Sequence, residues 1–411
     1  IMEKNTYRIF VVDDDPLAVK VISELLEDAR HQITSMTESK SAFATILAMK
    51  PDCVICDLMM PGVDGFQLCK MVTEHTELTN TKFIMVSTKA YEFDQKRSFT
   101  FGAHGYILKP LNTETFSDQI NRILNDYIDM RFWGVRGTLP VSGENALKYG
   151  GNTSCISLEF PSQQLFVFDG GSGIKTLGDW LTSQQRKRIQ AKLFISHPHW
   201  DHINSIPFFA PLYQQGNDFE ILGANQGDNT MRELISAQMD GVYFPITLTE
   251  FAAHVYFRDL EEEVIQLNNI EVKTMLLSHP GKCLGYRVNY NGRSVCYITD
   301  NEMFHEDSDF YSPRYENKLQ EFCKDADALI TDSTYTDAEY ATKVGWGHSC
   351  ISKVVNLADN ANVKTLYLFH HDPDQTDSDI DAKLETAVSL LSKRNSQTEV
   401  FAPREGQCVT I

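Results

Sequence analysis

The segment His197-Pro-His199-Trp-Asp201-His202 constrains this chain more than any other stretch of its 411 residues. Imidazole nitrogens and carboxylate oxygens are the donors that suit zinc, manganese or iron(II). Packed this tightly along the backbone, they can serve one ion with two side chains and a neighbouring ion with two more. The segment follows the apolar run Leu193-Phe194-Ile195, which reads as a buried strand, and Pro198 sets it off as a loop. A His-rich surface loop is the bland alternative, and the downstream candidates below weigh against it.

From Tyr7 to about Tyr127 short apolar runs alternate with amphipathic segments. Arg8–Val12, Cys53–Cys56, Phe83–Val86 and Gly105–Leu108 read as the first, third, fourth and fifth strands with helical patterns between them, which implies a doubly wound, five-stranded parallel sheet. Ligands of such sheets bind at the carboxyl ends of the strands. Polar residues stand there: Asp13 and Asp14, Asp57, Ser87 and Lys109. Three carboxylates would repel one another unless a hard cation such as Mg²⁺ sat among them. Asp57 then becomes a candidate phosphoryl acceptor, with Lys109 and Ser87 placed for the phosphoryl oxygens.

Charge, cysteines and hydropathy narrow the setting. The formal net charge is −19, of which −5 falls up to Ile128 and −14 beyond it. An acidic surface repels long polyanions, which favours a small substrate over duplex DNA. The nine cysteines are scattered. Cys53 and Cys56 lie three apart in a strand and so face opposite sides, which makes core packing in a reduced compartment the expected role. No apolar run reaches the roughly 18 residues of a membrane span, and the opening residues lack a secretory pattern, with Ile1 before Met2 read as a remnant. The expectation is a cytoplasmic protein without membrane contact.

Further metal-type residues follow the opening cluster. His279 comes after Val272–Leu277, Asp300 closes Val295–Thr299, His370 follows Thr365–Phe369, and His348 precedes a helical pattern. A lone histidine at any of these places would mean little. Several sharing strand ends in one region point to a common site.

These residues also carry two resemblances. Phe10-Val-Val-Asp13-Asp14-Asp15-Pro16, Cys56-Asp57-Leu-Met-Met-Pro61-Gly and Gly102-Ala-His-Gly-Tyr106-Ile-Leu-Lys109-Pro110 resemble the receiver domain of two-component response regulators. The resemblance implies that Asp57 takes a phosphoryl group from a histidine kinase. It implies that Asp14, Asp57 and the carbonyl of Met59 hold Mg²⁺ with help from Asp13. Ser87 and Tyr106 match the switch pair, and Lys109-Pro110 matches a cis bond. Receivers of this kind act through dimers or docked effector domains, so a homodimer is the default expectation.

The order HxHxDH, then His, Asp, His, is similar to the metallo-β-lactamase fold, an αββα sandwich. Gly134-Val-Arg-Gly-Thr, Phe168-Asp169-Gly-Gly, Trp346-Gly-His348-Ser349 and Phe369-His370-His371-Asp resemble its branch containing RNase Z and cyclic-nucleotide phosphodiesterases. Carried over by position, His197, His199 and His279 would hold one ion. Asp201, His202 and His370 would hold a second, with Asp300 bridging, and His370 is preferred to His371. His348 matches the residue that protonates the leaving alkoxide, and Asp201 stands with it among the catalytic candidates. Asp169 matches an aspartate that orients a ligand histidine. The implied cofactors are two divalent Zn, Mn or Fe ions, besides receiver Mg²⁺. The segment 208–258 reads as an insert carrying Tyr213, Tyr243, Phe244 and Phe251, within which Tyr243-Phe244-Pro245 caps the cleft, forms a dimer surface or packs as a lid.

The resulting expectation is a receiver over residues 1–127 and a hydrolase over 128–411. Its output would be a phosphodiesterase acting on a cyclic nucleotide or other small phosphodiester under control of Asp57. A thioester or lactone hydrolase and a non-catalytic metal-binding signalling module are the alternatives. A DNA-binding output would need a basic helix-turn-helix, which the acidic second region lacks.

Overall fold

The computed structural model describes residues 6–411 other than 90, 185–187, 243 and 268. The chain forms two compact units, one of residues 1–128 with 160–163 and one of residues 129–159 with 164–411.

In the first unit, strands β1 (Arg8–Val12), β2 (Gln32–Met36), β3 (Cys53–Asp57), β4 (Lys82–Ser87) and β5 (Gly105–Leu108) form one sheet in the order β2-β1-β3-β4-β5. Every pairing is parallel. Strand alternation sends Phe10, Val12, Val54, Cys56, Phe83 and Met85 into one core and Ile9, Val11, Cys53, Ile55, Ile84 and Val86 into the other. Cys53 and Cys56 therefore face opposite layers, as their spacing predicts. The strand order reverses between β1 and β3, so Asp13 and Asp57 emerge side by side at the switch point. Asp15 then starts the helix Pro16–Asp28, its carboxylate accepting from Leu17 N with proline in the first turn.

The second unit contains two seven-stranded sheets. The first is built from β6 (Asp129–Gly134), β7 (Cys155–Glu159), β8 (Leu165–Phe168), β9 (Gln190–Ile195), β10 (Asp218–Gly223) and β11 (His254–Asp259). The second comprises β12 (Val264–Leu267), β13 (Ile270–Leu276), β14 (Leu284–Tyr290), β15 (Arg293–Ile298), β16 (Ala328–Asp332), β17 (Thr365–Phe369) and β18 (Glu399–Phe401). Strand β19 (Cys408–Thr410) returns to pair antiparallel with β6. Aromatic side chains fill the space between the sheets: Phe132 meets Tyr367 and Phe369, while Phe168 meets Tyr286 and Tyr297. Helices Gly173–Ser183 and Met231–Ala237 pack on the outside of the first sheet. Helices Pro313–Cys323, Ile351–Asn360 and Asp377–Lys393 cover the second. The result is the expected αββα sandwich.

The segment 208–258 corrects its reading as an insert. It supplies β10, the helix Met231–Ala237 and most of β11, so it is part of the sheet itself. Asp218–Gly223 and His254–Asp259 alternate polar and apolar residues too briefly to advertise strands. Tyr213 stacks edge-on against Phe251, and both pack on the first sheet's core. Phe244 meets Phe208, and Tyr243 lies outside the described residues. Eight of the nine cysteines are buried, and Cys408 is exposed. No helix among the described residues is long and apolar enough to cross a membrane.

Candidate phosphoacceptor and metal sites

At the switch point of the first unit, Lys109 Nζ donates to Asp13 Oδ2 at 2.7 Å and to Asp57 Oδ1 at 2.6 Å. The other Asp57 oxygen accepts from Met59 N at 2.6 Å. One ammonium against two nearly buried carboxylates leaves the pocket a net negative charge, which a divalent cation would offset. Burial alone would lower the Lys109 pKa, but Asp13 and Asp57 raise it overall. Asp14 is exposed at the same strand end. Ser87 accepts from Lys89 N, and the buried Tyr106 hydroxyl donates to Lys89 O at 2.8 Å. The Lys109-Pro110 bond is cis.

The second site lies at the strand ends of the sandwich. His197 and His199 leave the end of β9, and Asp201 and His202 belong to the single turn Trp200–Ile203. His279 follows β13, Asp300 follows β15 and His370 follows β17. The structure draws their donor atoms into two groups. One contains His197, His199, His279 and Asp300; the other contains Asp201, His202, Asp300 and His370.

Asp300 belongs to both because its oxygens divide between them. Oδ2 lies 3.6 Å from His197 Nε2 and 3.7 Å from His279 Nε2. Oδ1 lies 3.1 Å from His202 Nε2 and 3.0 Å from His370 Nε2. Donors about 2.0–2.1 Å from a tetrahedral ion stand roughly 3.4 Å apart, so these spacings fit one ion in each group.

Hydrogen bonds fix which nitrogen faces inward. His202 Nδ1–H donates to Asp169 Oδ2 at 2.8 Å, and His279 Nδ1–H donates to the Gly347 carbonyl at 2.9 Å. His197 Nδ1 is 3.1 Å from Ser196 Oγ, which itself donates to Asp169. In each ring Nε2 is therefore left to the cluster, and buried His197 Nε2 has no hydrogen-bond partner. His279 Nε2 and His199 Nδ1 meet at 3.2 Å. Nitrogen lone pairs gathered around largely buried carboxylates call for a cation, and the donor set suits a transition ion.

The charges respond accordingly. Burial, with His202 beside it, pushes His197 well below the usual imidazole range. Burial would depress His202 as well, yet Asp201, Asp300 and Asp169 raise it far above that range. Asp300 and Asp201, despite burial, are held well below ordinary carboxylates by the adjoining imidazoles. A proton on His202 thus supplies positive charge that a metal ion would replace.

Three residues here adopt left-handed backbone without being glycine: Asp169 (φ 60°), Asp300 (φ 28°) and His370 (φ 60°). Each costs roughly 1–2 kcal/mol. Of the adjacent pair, His370 enters the cluster. His371 turns away, its Nδ1 3.0 Å from buried Lys383 Nζ. Arg136, fully buried, donates to the carbonyls of Gly150, Asp372 and Gln375 and ties the loop after His370 to the first sheet.

His348 lies beside the second group, its ring stacked 5.0 Å from that of His370. Its Nδ1–H donates to Asp332 Oδ2 at 2.8 Å. Burial works against its charge, but Asp332, with Asp300 and Asp201 nearby, raises its pKa to about 9. Asp332 escaped the sequence reading, although it closes the apolar run Ala328–Ile330 at a strand end as Asp300 does. Glu302 was also missed. Its carboxylate accepts from Gly345 N and Gly347 N, both at 2.7 Å, and so holds the loop that presents His348 and supports His279. Tyr297, donating to Asp169 at 2.7 Å, had no sequence signal inside its strand.

Residues 9–121 match the response regulator receiver domain family, and residues 175–371 match the β-lactamase superfamily domain. Protein PilH of Pseudomonas aeruginosa is 34% identical over 117 residues, which covers 28% of this chain and 97% of PilH. The chain spans about half the length of other curated response regulators that it matches. Among solved structures, the metallo-β-lactamase fold protein YhfI from Bacillus subtilis aligns over 70% of this chain and 100% of its own, at 16% identity and TM-score 0.50. Yeast PDE1 aligns over 70% and 100%, at 14% identity and TM-score 0.54. These two likenesses concern the fold, which implies divalent metal ions. The chain therefore belongs to the response regulator family through its amino-terminal receiver domain, which is joined to a β-lactamase superfamily domain of metallo-β-lactamase fold.

Proposed function

We propose that the second domain is a dinuclear metal-dependent phosphodiesterase acting on a small phosphodiester such as a cyclic nucleotide. The observation that carries this reading is the division of Asp300 between two donor groups, with the Asp332–His348 pair alongside. Two divalent ions bound there would polarise a phosphoryl group and lower the pKa of water. His197, His199 and His279 would hold one ion, Asp201, His202 and His370 the other, with Asp300 shared.

The protein's own groups have distinct tasks. Asp169 fixes the tautomer and ring plane of His202, and Gly347 O does the same for His279. Asp332 holds the Nδ1 proton of His348, which leaves Nε2 to donate to the departing alkoxide and to regain a proton in the next cycle. A thioester's leaving thiolate is far less basic than an alkoxide and needs no such donor, so the Asp–His pair favours the phosphodiester. Asp57 is the phosphoryl acceptor from a histidine kinase, with Mg²⁺ held by Asp13, Asp14, Asp57 and the Met59 carbonyl. Ser87, Tyr106 and Lys109 register the modification, and phosphorylation sets the output activity.

The test is a parallel screen of the metal-replete full chain against cyclic and linear phosphodiesters and a thioester, with and without Asp57 phosphorylation. Phosphodiester turnover that changes on phosphorylation is expected. Turnover of the thioester alone would redirect the reading to another ester class. Bound ions with no turnover on any ester would leave a signalling module.

A further inference from the structure

His305 stands in the loop after β15, Asp337 opens the single turn Asp337–Tyr340, and Cys350 caps the helix Ile351–Asn360. None of the three belongs to the groups around Asp300. Their ligand atoms nevertheless lie within 4.8 Å of one another.

We propose that His305, Asp337 and Cys350 form a separate mononuclear site for a borderline divalent cation, zinc by preference. Cys350 Sγ is 3.7 Å from His305 Nε2. With Zn–S near 2.3 Å and Zn–N near 2.0–2.1 Å, a tetrahedral ion separates its sulfur and nitrogen donors by roughly 3.6 Å, so this pair is already at ligating distance. Ser352 Oγ donates to Asp337 Oδ1 and lies 3.6 Å from Cys350 Sγ, which holds the carboxylate on the thiol's side. The thiolate and carboxylate together neutralise a dication, with His305 neutral. Cys350 is buried, His305 half-buried and Asp337 exposed, so the site opens outward on the carboxylate side, where water can complete the tetrahedron.

Thiolate sulfur beside imidazole selects zinc-like ions over magnesium. Burial pushes the Cys350 thiol up, which argues against a free nucleophilic thiolate. Ion binding would therefore break the S–H bond, form an S–metal bond and release one proton to solvent.

The position gives the site a structural purpose. Cys350 is two residues beyond His348, and His305 is five beyond Asp300. Ser349 already stitches these segments, donating to Asn301 O at 2.5 Å and accepting from Met303 N at 3.1 Å. An ion shared by His305 and Cys350 would extend that seam and restrain the loop presenting His348.

Cobalt(II) loading of the full chain tests this directly. The groups around Asp300 contain no sulfur, so thiolate-to-cobalt charge-transfer absorption in the near ultraviolet would report the new site alone. The band should be present in the native protein, abolished in Cys350→Ser and weakened in His305→Gln. Zinc content should fall by about one ion per chain in Cys350→Ser, with the ions around Asp300 retained. Absence of the band from the cobalt-loaded native protein would overturn the proposal, as would its survival in Cys350→Ser. Neither readout depends on the domain being a phosphodiesterase.

Discussion

Gly137→Ala should disable one half of the metal centre while leaving the other intact. A methyl group built on Gly137 would lie 2.1 Å from His370 Cε1, 2.3 Å from Nδ1 and 2.6 Å from Nε2. Carbon atoms rest at about 3.5 Å, so one partner must retreat by roughly 1.4 Å. The His370 ring is confined by His202 on one side at 5.3 Å and His348 at 5.0 Å, and it is 1% exposed. Metal ligands tolerate displacements of only about 0.2 Å. Disturbing a group that merely supports a ligand costs about 10–100-fold in affinity, and expelling the ligand itself should cost at least the upper figure. The second ion should therefore bind at least ~100-fold more weakly, about 2.7 kcal/mol. The three atoms nearest the added methyl all belong to His370, so the first ion, held by His197, His199 and His279, should bind as before. Titration of zinc or manganese into chelator-stripped protein, followed by elemental analysis, gives the two affinities separately. Circular dichroism checks that the sandwich remains folded. Two ions held at native affinity by Gly137→Ala would refute the placement of His370 among the ligands.

Other expectations are more compact. His348→Ala should retain both ions yet lose about 10²–10⁴-fold in phosphodiester turnover, and an equally active variant would remove the proton-donor role. Asp57→Asn should take up no phosphoryl group from acetyl phosphate and Mg²⁺, as read from intact mass; labelling at native levels would place the acceptor elsewhere. Burial, reinforced by Lys82, brings His104 down to about 4, and its Nδ1 accepts from Phe83 N at 3.1 Å. The folded receiver then binds fewer protons than the unfolded chain between pH 4 and 6.5, so its stability rises with pH through that window. Acidification from pH 7 to 5 should cost on the order of 1–2 kcal/mol through this residue. Denaturant midpoints of native protein and His104→Asn, compared at both pH values, would expose the difference; parallel losses would be the contrary result.

What could be read from the chain beforehand depended on burial. β1, β3, β4 and β5 declare themselves because both faces are covered and nearly every position is apolar. β2, with the sequence Gln-Ile-Thr-Ser-Met on a half-exposed edge, offers no comparable run. The strand-end rule located His279, Asp300 and His370, and would have located Asp332 had it been applied to Ala328–Ile330. Ser196, Tyr297 and Glu302 could not be found that way. Their significance arises from partners 27, 128 and 45 residues distant along the chain, which only tertiary structure brings near. The segment 208–258 failed for a different reason: short alternating strands look like loop when their sheet neighbours are unknown.

The backbone at Asp300 sets folding and chemistry against each other. Asparagine or glycine would sit there with less torsional discomfort than aspartate, and neither would bring a charge into a buried position. Random drift, or a laboratory screen rewarding heat resistance alone, should therefore enrich such replacements and yield sturdier proteins with crippled centres. Aspartate at this position is thus accounted for by what the centre would do, not by how well the polypeptide holds together.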